Sequence, residues 1–288
     1  MFLLADPAPS DPARLAAFAA TYVTFQFVMF GVFGTRWLVA GEAFTAILRL
    51  YGRVGVIQAS NRTIRFGAPG WQLAQARFPH ISCAILCIVL LGSGSFDGLN
   101  ETFWWLSILG INPLEFPGRS AVIWQNTFGL IIANATLILV FWVCLHAGAS
   151  MSRTNLPVSA AMRAFAPTLL PIALGYHVAH YLPSFLVDSQ YVLVALSDPF
   201  LNGSDWLGLG EYYVSTSFFN SRASVRIIFL SQAGAVVLGH LIAVLTAHAV
   251  AMRLLRNRRD VLIFQAPLAV FMLGYTWFGL WLLASPRF

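Results

Sequence analysis

Long apolar segments alternate with shorter polar ones along almost the whole chain. Six of the apolar segments cover about residues 13–33, 81–95, 121–147, 164–187, 224–255 and 261–284. A helix needs about 20 apolar residues to cross the hydrocarbon core of a bilayer. The pattern therefore predicts an all-α, polytopic membrane bundle of about six transmembrane helices, and we expect one bundle domain over residues 1–288.

The connection between the first two segments has a pattern of its own. Over residues 42–56, apolar side chains fall on one helical face and Arg49 and Arg53 fall on another. Such a face is typical of an amphipathic helix that lies at an anionic membrane surface. The longest external connection is predicted over residues 188–223, and residues 191–196 are apolar enough to dip back into the membrane.

Composition agrees with a membrane location. The mean hydropathy is +0.74, and only 10% of residues are charged, whereas soluble domains carry about 25%. The chain contains no lysine, so its net charge of +6 comes from arginine. Arginine in short loops orients membrane proteins, and this excess does not indicate nucleic acid as a partner. We expect the lipid bilayer as partner, with other membrane subunits or a homo-oligomer left open.

The distribution of charge predicts which side each connection faces. Twelve of the 17 arginines follow the first, third and fifth apolar segments, whereas nine of the 11 acidic residues lie on the other side. Because cytoplasmic loops carry the arginine excess, both termini are predicted to be external.

Two histidines lie inside the fourth apolar segment. The stretch 167–188 reads PTLLPIALGYHVAHYLPSFLVD and places His177 and His180 three residues apart. Residues at that spacing lie on the same side of a helix. A polar, titratable side chain within hydrocarbon costs on the order of 2 kcal/mol or more and normally faces protein, ligand or water. This pair is therefore the strongest candidate for a functional centre.

Other polar residues are expected at the same depth. In the predicted orientation, Asp97 ends the second segment on the outer side, and His240 lies near the middle of the fifth. Neutral imidazoles from His177, His180 and His240, with Asp97 as a ligand or general base, suit Zn²⁺ or another divalent ion. An ion with an open position lowers the pKa of bound water to about 7 and generates a nucleophile.

Two other interpretations stay open at this stage. The histidines of the bundle would hydrogen-bond across helices and stabilise it by about 0.6 kcal/mol each. Alternatively, His177 or His180 would pair with His240 as the two axial ligands of a haem.

Several stretches resemble a known group of proteins. SFDG, GYHVAHYLPSFLVDSQ, GHLIAVLTAHAVAMRLL, LGYTWFGLWLLASP and DPARLAAFAATYVTFQFVMFGVFGTRWLVAGEAF are similar to bacterial integral membrane proteins named fenitrothion hydrolases. The resemblance covers nearly the whole chain and implies an inner-membrane protein that acts on an organophosphate triester. Members of that group are often longer, with further spans upstream, so the chain would match their later portion. The resemblance assigns no catalytic residue.

Three functions therefore stay open. The first is a metal-dependent membrane hydrolase of a lipophilic ester, with its site at the outer leaflet. The second is a transporter, an ion or metal conduit, or a subunit of a membrane complex, because histidines at successive depths also suit a relay. The third is a haem-binding electron-transfer subunit.

Overall fold

The computed structural model describes residues 8, 11–60, 63–76, 78, 80–115, 118–210 and 213–286. In chain order the helices of this part are α1 (Pro12–Phe33), α2 (Thr35–Ala40), α3 (Ala43–Gly52), α4 (Trp71–Gln75), α5 (Ile81–Asn100), α6 (Phe103–Ile108), α7 (Ile123–Ser152), α8 (Val158–Phe165), α9 (Leu170–Ser197), α10 (Arg222–Leu254) and α11 (Arg258–Ala284). Two short strands, β1 (Ile57–Ser60) and β2 (Thr63–Phe66), form an antiparallel hairpin between α3 and α4.

Among the described residues, six helical segments are long and apolar enough to cross a membrane: α1, α5, α7, α8 with α9, α10 and α11. The prediction of an all-α, multi-pass membrane bundle is therefore confirmed. Six crossings would place the start of α1 and the end of α11 on the same side of the membrane. The direction of insertion stays a prediction from the arginine distribution. Arg62, Arg77, Arg287, Asp6 and Glu211 of that distribution lie outside the described residues.

The transmembrane core is built from α5, α7, α9, α10 and α11, which pack against one another. Its fully buried side chains are mostly large and apolar, and include Ile88, Phe141, Phe165, Ile172 and Phe264. Tight contact between helices depends on small residues, as is usual in membranes. A Cβ at Gly175 of α9 would lie 2.5 Å from the carbonyl oxygen of Ala235 on α10, and a Cβ at Gly239 of α10 would lie 2.5 Å from that of Pro171.

The helix α1 lies outside this core. None of its described residues is buried, and its side chains bind the segment that follows it instead. The indole nitrogen Nε1 of Trp37 donates to Oε1 of Gln26 at 2.6 Å, and the hydroxyl of Tyr22 donates to the carboxylate of Glu42.

The predicted amphipathic helix is present as α3, but it is shorter than expected. Its N-cap is Glu42, whose carboxylate accepts hydrogen bonds from the backbone nitrogens of Phe44 and Thr45. Leu50 is buried against the bundle, whereas Phe44 and Leu48 stay exposed. The hairpin that follows was not predicted, because both of its strands are only four residues long.

The largest boundary difference is at the end of α9. We expected a loop from residue 188 and an apolar stretch that dips back over 191–196, but α9 continues as a helix to Ser197. Pro183 lies inside it, which long membrane helices tolerate. The amide of Gln190 holds the segment after the loop: its Nε2 donates to the carbonyl oxygen of Ser215 and its Oε1 accepts from the nitrogen of Ser215.

The loop after α9 is organised by two carboxylates. Asp198 accepts from the backbone nitrogens of Asn202 and Gly203. Asp205 accepts from the nitrogen of Gly210 and from the hydroxyl of Ser197, and these hydrogen bonds lower its pKa from the ordinary value. The end of α9 is thereby joined to its own loop.

Candidate functional site

Asp97 and His180 meet where α5 and α9 lie side by side. Oδ2 of Asp97 lies 3.1 Å from Nε2 of His180, and the same oxygen accepts a 2.7 Å hydrogen bond from the hydroxyl of Tyr181. Because α5 continues to Asn100, the acid is part of the helix rather than of the loop after it. Two helices therefore hold the carboxylate and the imidazole in a fixed relation.

Small residues of α5 let α9 come this close. A Cβ at Gly94 would lie 3.4 Å from Cε1 of His177, and a Cβ at Gly98 would lie 3.9 Å from Nδ1 of His180. Gly94, Asp97 and Gly98 thus form the face that α5 turns towards the two histidines. Larger side chains at the glycines would fill the space beside the imidazoles.

The pair is partly accessible. Asp97 is 17% exposed and His180 is 15% exposed, so neither is sealed inside the bundle. At 3.1 Å the imidazole and the carboxylate are within ion-pair distance. Nδ1 of the same ring lies on the side of Gly98. A histidine placed beside a carboxylate in this way can act as a general base.

A small cavity adjoins the imidazole. It has a volume of about 20 Å³ and is lined by Gly94, Gly98, Tyr176, His180 and residues of α10 and α11. A water molecule needs a cavity volume of roughly 10–15 Å³ and polar neighbours. The cavity therefore has room for a single water next to His180.

His177 has different partners. Its Nδ1 lies 2.7 Å from the carbonyl oxygen of Ala173 and 3.1 Å from the hydroxyl of Tyr51, which α3 brings against the bundle. Burial raises the pKa of the Tyr51 phenol, so it stays protonated. These contacts hold the His177 ring between α3 and α9.

His240 of α10 lies beside Tyr176 of α9. In α9, Tyr176 is one helical turn before His180. Its ring centroid is 6.3 Å from that of Tyr176 and 6.4 Å from that of Tyr275. Its Nδ1 lies 2.8 Å from the carbonyl oxygen of Val236, while Nε2 is buried without a hydrogen-bond partner among the described residues. Tyr275 in turn bonds to the hydroxyl of Ser95 at 2.7 Å.

The structure therefore does not bring together all four residues of the predicted metal site. Asp97 and His180 are in contact, whereas His177 and His240 have separate surroundings. Within the described ranges, no group of three or more His, Cys, Asp or Glu side chains is placed to hold an ion. A catalytic zinc site has three protein ligands, so this donor set does not complete one. The divalent ion stays a prediction.

The haem interpretation also stays a prediction. Ligation of one haem by His240 and a histidine of α9 requires a porphyrin between those two helices. At Gly175 and Gly239 the backbones of α9 and α10 are in direct contact. The helices would have to separate there to admit the group.

A larger apolar cavity was not predicted from the sequence. It has a volume of about 540 Å³ and lies between α5, α6, α7 and α11. Ser95, Thr136 and Tyr275 are among its polar lining residues, and its walls include Phe96, Gly129 and Phe271. On α5, Ser95 and Phe96 point away from the face that carries Gly94 and Gly98, so this cavity and the Asp97–His180 pair lie on opposite sides of the helix.

One signal in the sequence points to the larger cavity. Gly129, Ala133 and Thr136 follow one another at spacings of four and three on α7, which leaves a shallow groove along one helical face. The contact between Tyr51 and His177 has no signal in the sequence, because nothing there shows that α3 folds back against α9.

No protein family matches the chain, and neither a curated protein nor a solved structure matches it.

Proposed function

We propose that this membrane protein is a hydrolase of lipophilic esters, in which His180, oriented by Asp97, is the general base. The contact between Oδ2 of Asp97 and Nε2 of His180 is the observation that carries the proposal. The water-sized cavity on the other side of the imidazole supports it, because a base must lie within hydrogen-bond reach of the proton that it removes.

The proposed reaction needs no group beyond water and the ester. His180 takes a proton from the water, the oxygen of that water forms a bond to the phosphorus or acyl carbon, and the bond to the leaving alcohol breaks. The alcohol oxygen then receives the proton from His180, which gives an acid and an alcohol. Asp97 stabilises the imidazolium between these two transfers.

The surroundings of the pair favour a lipophilic substrate. Tyr181, which donates to Asp97 and packs against the His180 ring, is itself partly exposed, so an aromatic side chain borders the accessible edge of the pair. The resemblance to fenitrothion hydrolases supports a phosphotriester as one substrate class, and an acyl ester is the other.

The activity is testable with two chromogenic esters. The purified chain is reconstituted in vesicles and supplied with diethyl 4-nitrophenyl phosphate or 4-nitrophenyl butyrate, and the release of 4-nitrophenolate is followed by absorbance. We expect turnover of at least one ester above the rate in protein-free vesicles. No turnover of either ester would overturn the proposal.

A proton conduit is a second candidate, favoured by His240. Its buried Nε2 has no partner among the described residues, and the Tyr275–Ser95 hydroxyl pair lies next to it. Buried polar groups in such a position are typical of proton paths through membranes.

This second function predicts a specific loss of flux. In vesicles loaded with a pH-sensitive dye, replacement of His240 by leucine is expected to lower proton flux by roughly tenfold or more, because the buried titratable group is lost. The matched control is His146→Ala, since His146 is exposed and stacks on Trp142. Equal flux in the two variants, or none in the unmodified protein, would exclude the conduit.

A further inference from the structure

The segment between α1 and α5 contains arginines without carboxylate partners. From residue 34 to residue 80 the only acidic residue is Glu42. Its carboxylate accepts from Thr45, Phe44 and Tyr22, and the hydrogen bonds from Thr45 and then Tyr22 lower its pKa to about 2. Glu42 is therefore committed to the start of α3. In the part of the chain that the structure describes, Arg49, Arg53 and Arg65 form no ion pair.

These arginines line two cavities that meet at Arg53. One has a volume of about 260 Å³ and is lined almost entirely by Arg53, Arg65 and three glutamines, Gln58, Gln72 and Gln75. The second has a volume of about 430 Å³ and combines Arg49 and Arg53 with apolar side chains of α3 and α5. A charged cavity and a largely apolar one thus share Arg53 as part of their walls.

The charged cavity is held in shape by the hairpin. Gln58 on β1 pairs with Arg65 on β2, so both side chains lie on the same face of the hairpin. Nε2 of Gln72 donates to the carbonyl oxygens of Gly55 and Ile57 at 3.0 Å each, which fixes β1 relative to α4. The guanidinium carbon of Arg53 lies 4.8 Å from the ring centroid of Phe78, a cation–π contact.

The donors around this cavity suit a phosphate. A guanidinium group presents paired N–H donors that match two phosphate oxygens. Arg53 and Arg65 supply two such groups, and Gln58 and Gln75 add carboxamides. No carboxylate lines either cavity, so an anion meets no repulsion from the described residues.

The position of the cavities favours a lipid. The turn before α4 lies against α10, where a Cβ at Gly70 would be 2.5 Å from Oγ1 of Thr246, two turns before α10 ends. The arginine distribution assigns this end of the bundle to the cytoplasmic side. Anionic phospholipids are attracted to basic groups at that surface. Val39, Leu50 and Leu86 in the second cavity supply an apolar wall for an acyl chain.

We propose that Arg53 and Arg65, with Gln58 and Gln75, bind the phosphate of an anionic phospholipid whose acyl chain lies in the adjoining cavity. The site is independent of the Asp97–His180 pair. It binds the protein to its surrounding leaflet through one ordered lipid.

Binding is measured on the purified 288-residue chain in neutral detergent, with short-chain phosphatidylglycerol as the probe. Short-chain phosphatidylcholine and glycerol 3-phosphate are the two comparison probes. We expect saturable binding of phosphatidylglycerol and roughly tenfold or more weaker binding of both others, because one lacks net charge and the other lacks acyl chains. Equal affinity for glycerol 3-phosphate would overturn the lipid assignment and indicate a soluble phosphate.

Variants separate the site from general electrostatics. Arg53→Gln combined with Arg65→Gln is expected to weaken phosphatidylglycerol binding by at least about tenfold. The matched control is Arg258→Gln combined with Arg259→Gln, which removes the same charge from two exposed positions at the start of α11 and should change binding by less than about twofold. Equal losses in both double variants would overturn the site.

A single variant distinguishes loss of the binding site from loss of the fold. Arg65 is exposed on the hairpin, so Arg65→Gln removes one donor without opening the core. We expect it to weaken binding while the thermal unfolding temperature stays unchanged. Unchanged affinity in Arg65→Gln would remove Arg65 from the site and overturn the proposal.

Discussion

Replacement of His180 by alanine should lower the rate of ester hydrolysis by about 10²–10⁴-fold, the usual contribution of a positioned general base. Asp97→Asn should give a loss of similar order, because the amide keeps the size of the carboxylate but cannot stabilise the imidazolium. Tyr181→Phe removes only one hydrogen bond to Asp97 and should have a smaller effect. The measurement is kcat for release of 4-nitrophenolate from the reconstituted protein.

The control for this series is His248→Ala. His248 is exposed near the C-terminal end of α10, and its Nδ1 lies 3.1 Å from Oε1 of Gln265. Replacement of this histidine should leave kcat within about twofold of the unmodified value. If His180→Ala and Asp97→Asn hydrolyse the ester at the unmodified rate, the pair is not the catalytic centre. The same assay in excess chelator, with metal analysis of the purified chain, tests the predicted ion separately.

The sequence predicts that the fourth apolar segment contributes polar side chains to a centre. It does not predict which residues of other helices those side chains contact. Hydropathy fixes the approximate depth of each residue, and helical periodicity fixes which residues share a face. These two properties place Asp97 and His180 at a similar level. They do not determine which helices are neighbours or how each is rotated about its axis.

Rotation explains why His240 does not join the pair. Gly239 packs against the backbone of Pro171, and this contact sets the angle at which α10 faces α9. The next residue, His240, is then directed at Tyr176 and Tyr275. Glycine contacts of this kind depend on backbone shape, which residue depth alone does not reveal.

The local sequence pattern also predicts the end of α9 too early, because a tertiary contact extends this helix. Asp188, Ser189 and Gln190 form a polar run after Pro183, which is typical of a helix end. The helix continues because Gln190 finds partners in Ser215, a residue 25 positions away. The hydrophobic pattern predicts the fold class, but the contact between Gln190 and Ser215 depends on the path of the loop that joins them.

Replacement of Gly239 by alanine should destabilise the bundle by about 1–3 kcal/mol, the usual cost of overpacking a core. The added Cβ would lie 2.5 Å from the carbonyl oxygen of Pro171 and 3.2 Å from Cα of Ile172. Both atoms belong to the backbone of α9, so the clash cannot be relieved by rotation of a side chain. The helices must move apart, and the buried contacts around Ile172 are weakened.

Gly234 provides a matched control on the same helix. A Cβ there meets nothing within 4 Å, so Gly234→Ala changes only the local backbone preference. Alanine favours a helix over glycine by about 0.5–1 kcal/mol, and this variant should therefore be slightly more stable than the unmodified protein. Thermal unfolding in detergent, followed by circular dichroism, compares the two. If Gly239→Ala unfolds at the same temperature as Gly234→Ala, then α9 and α10 are not in backbone contact at that position, and the rotation that separates His240 from His180 loses its physical basis.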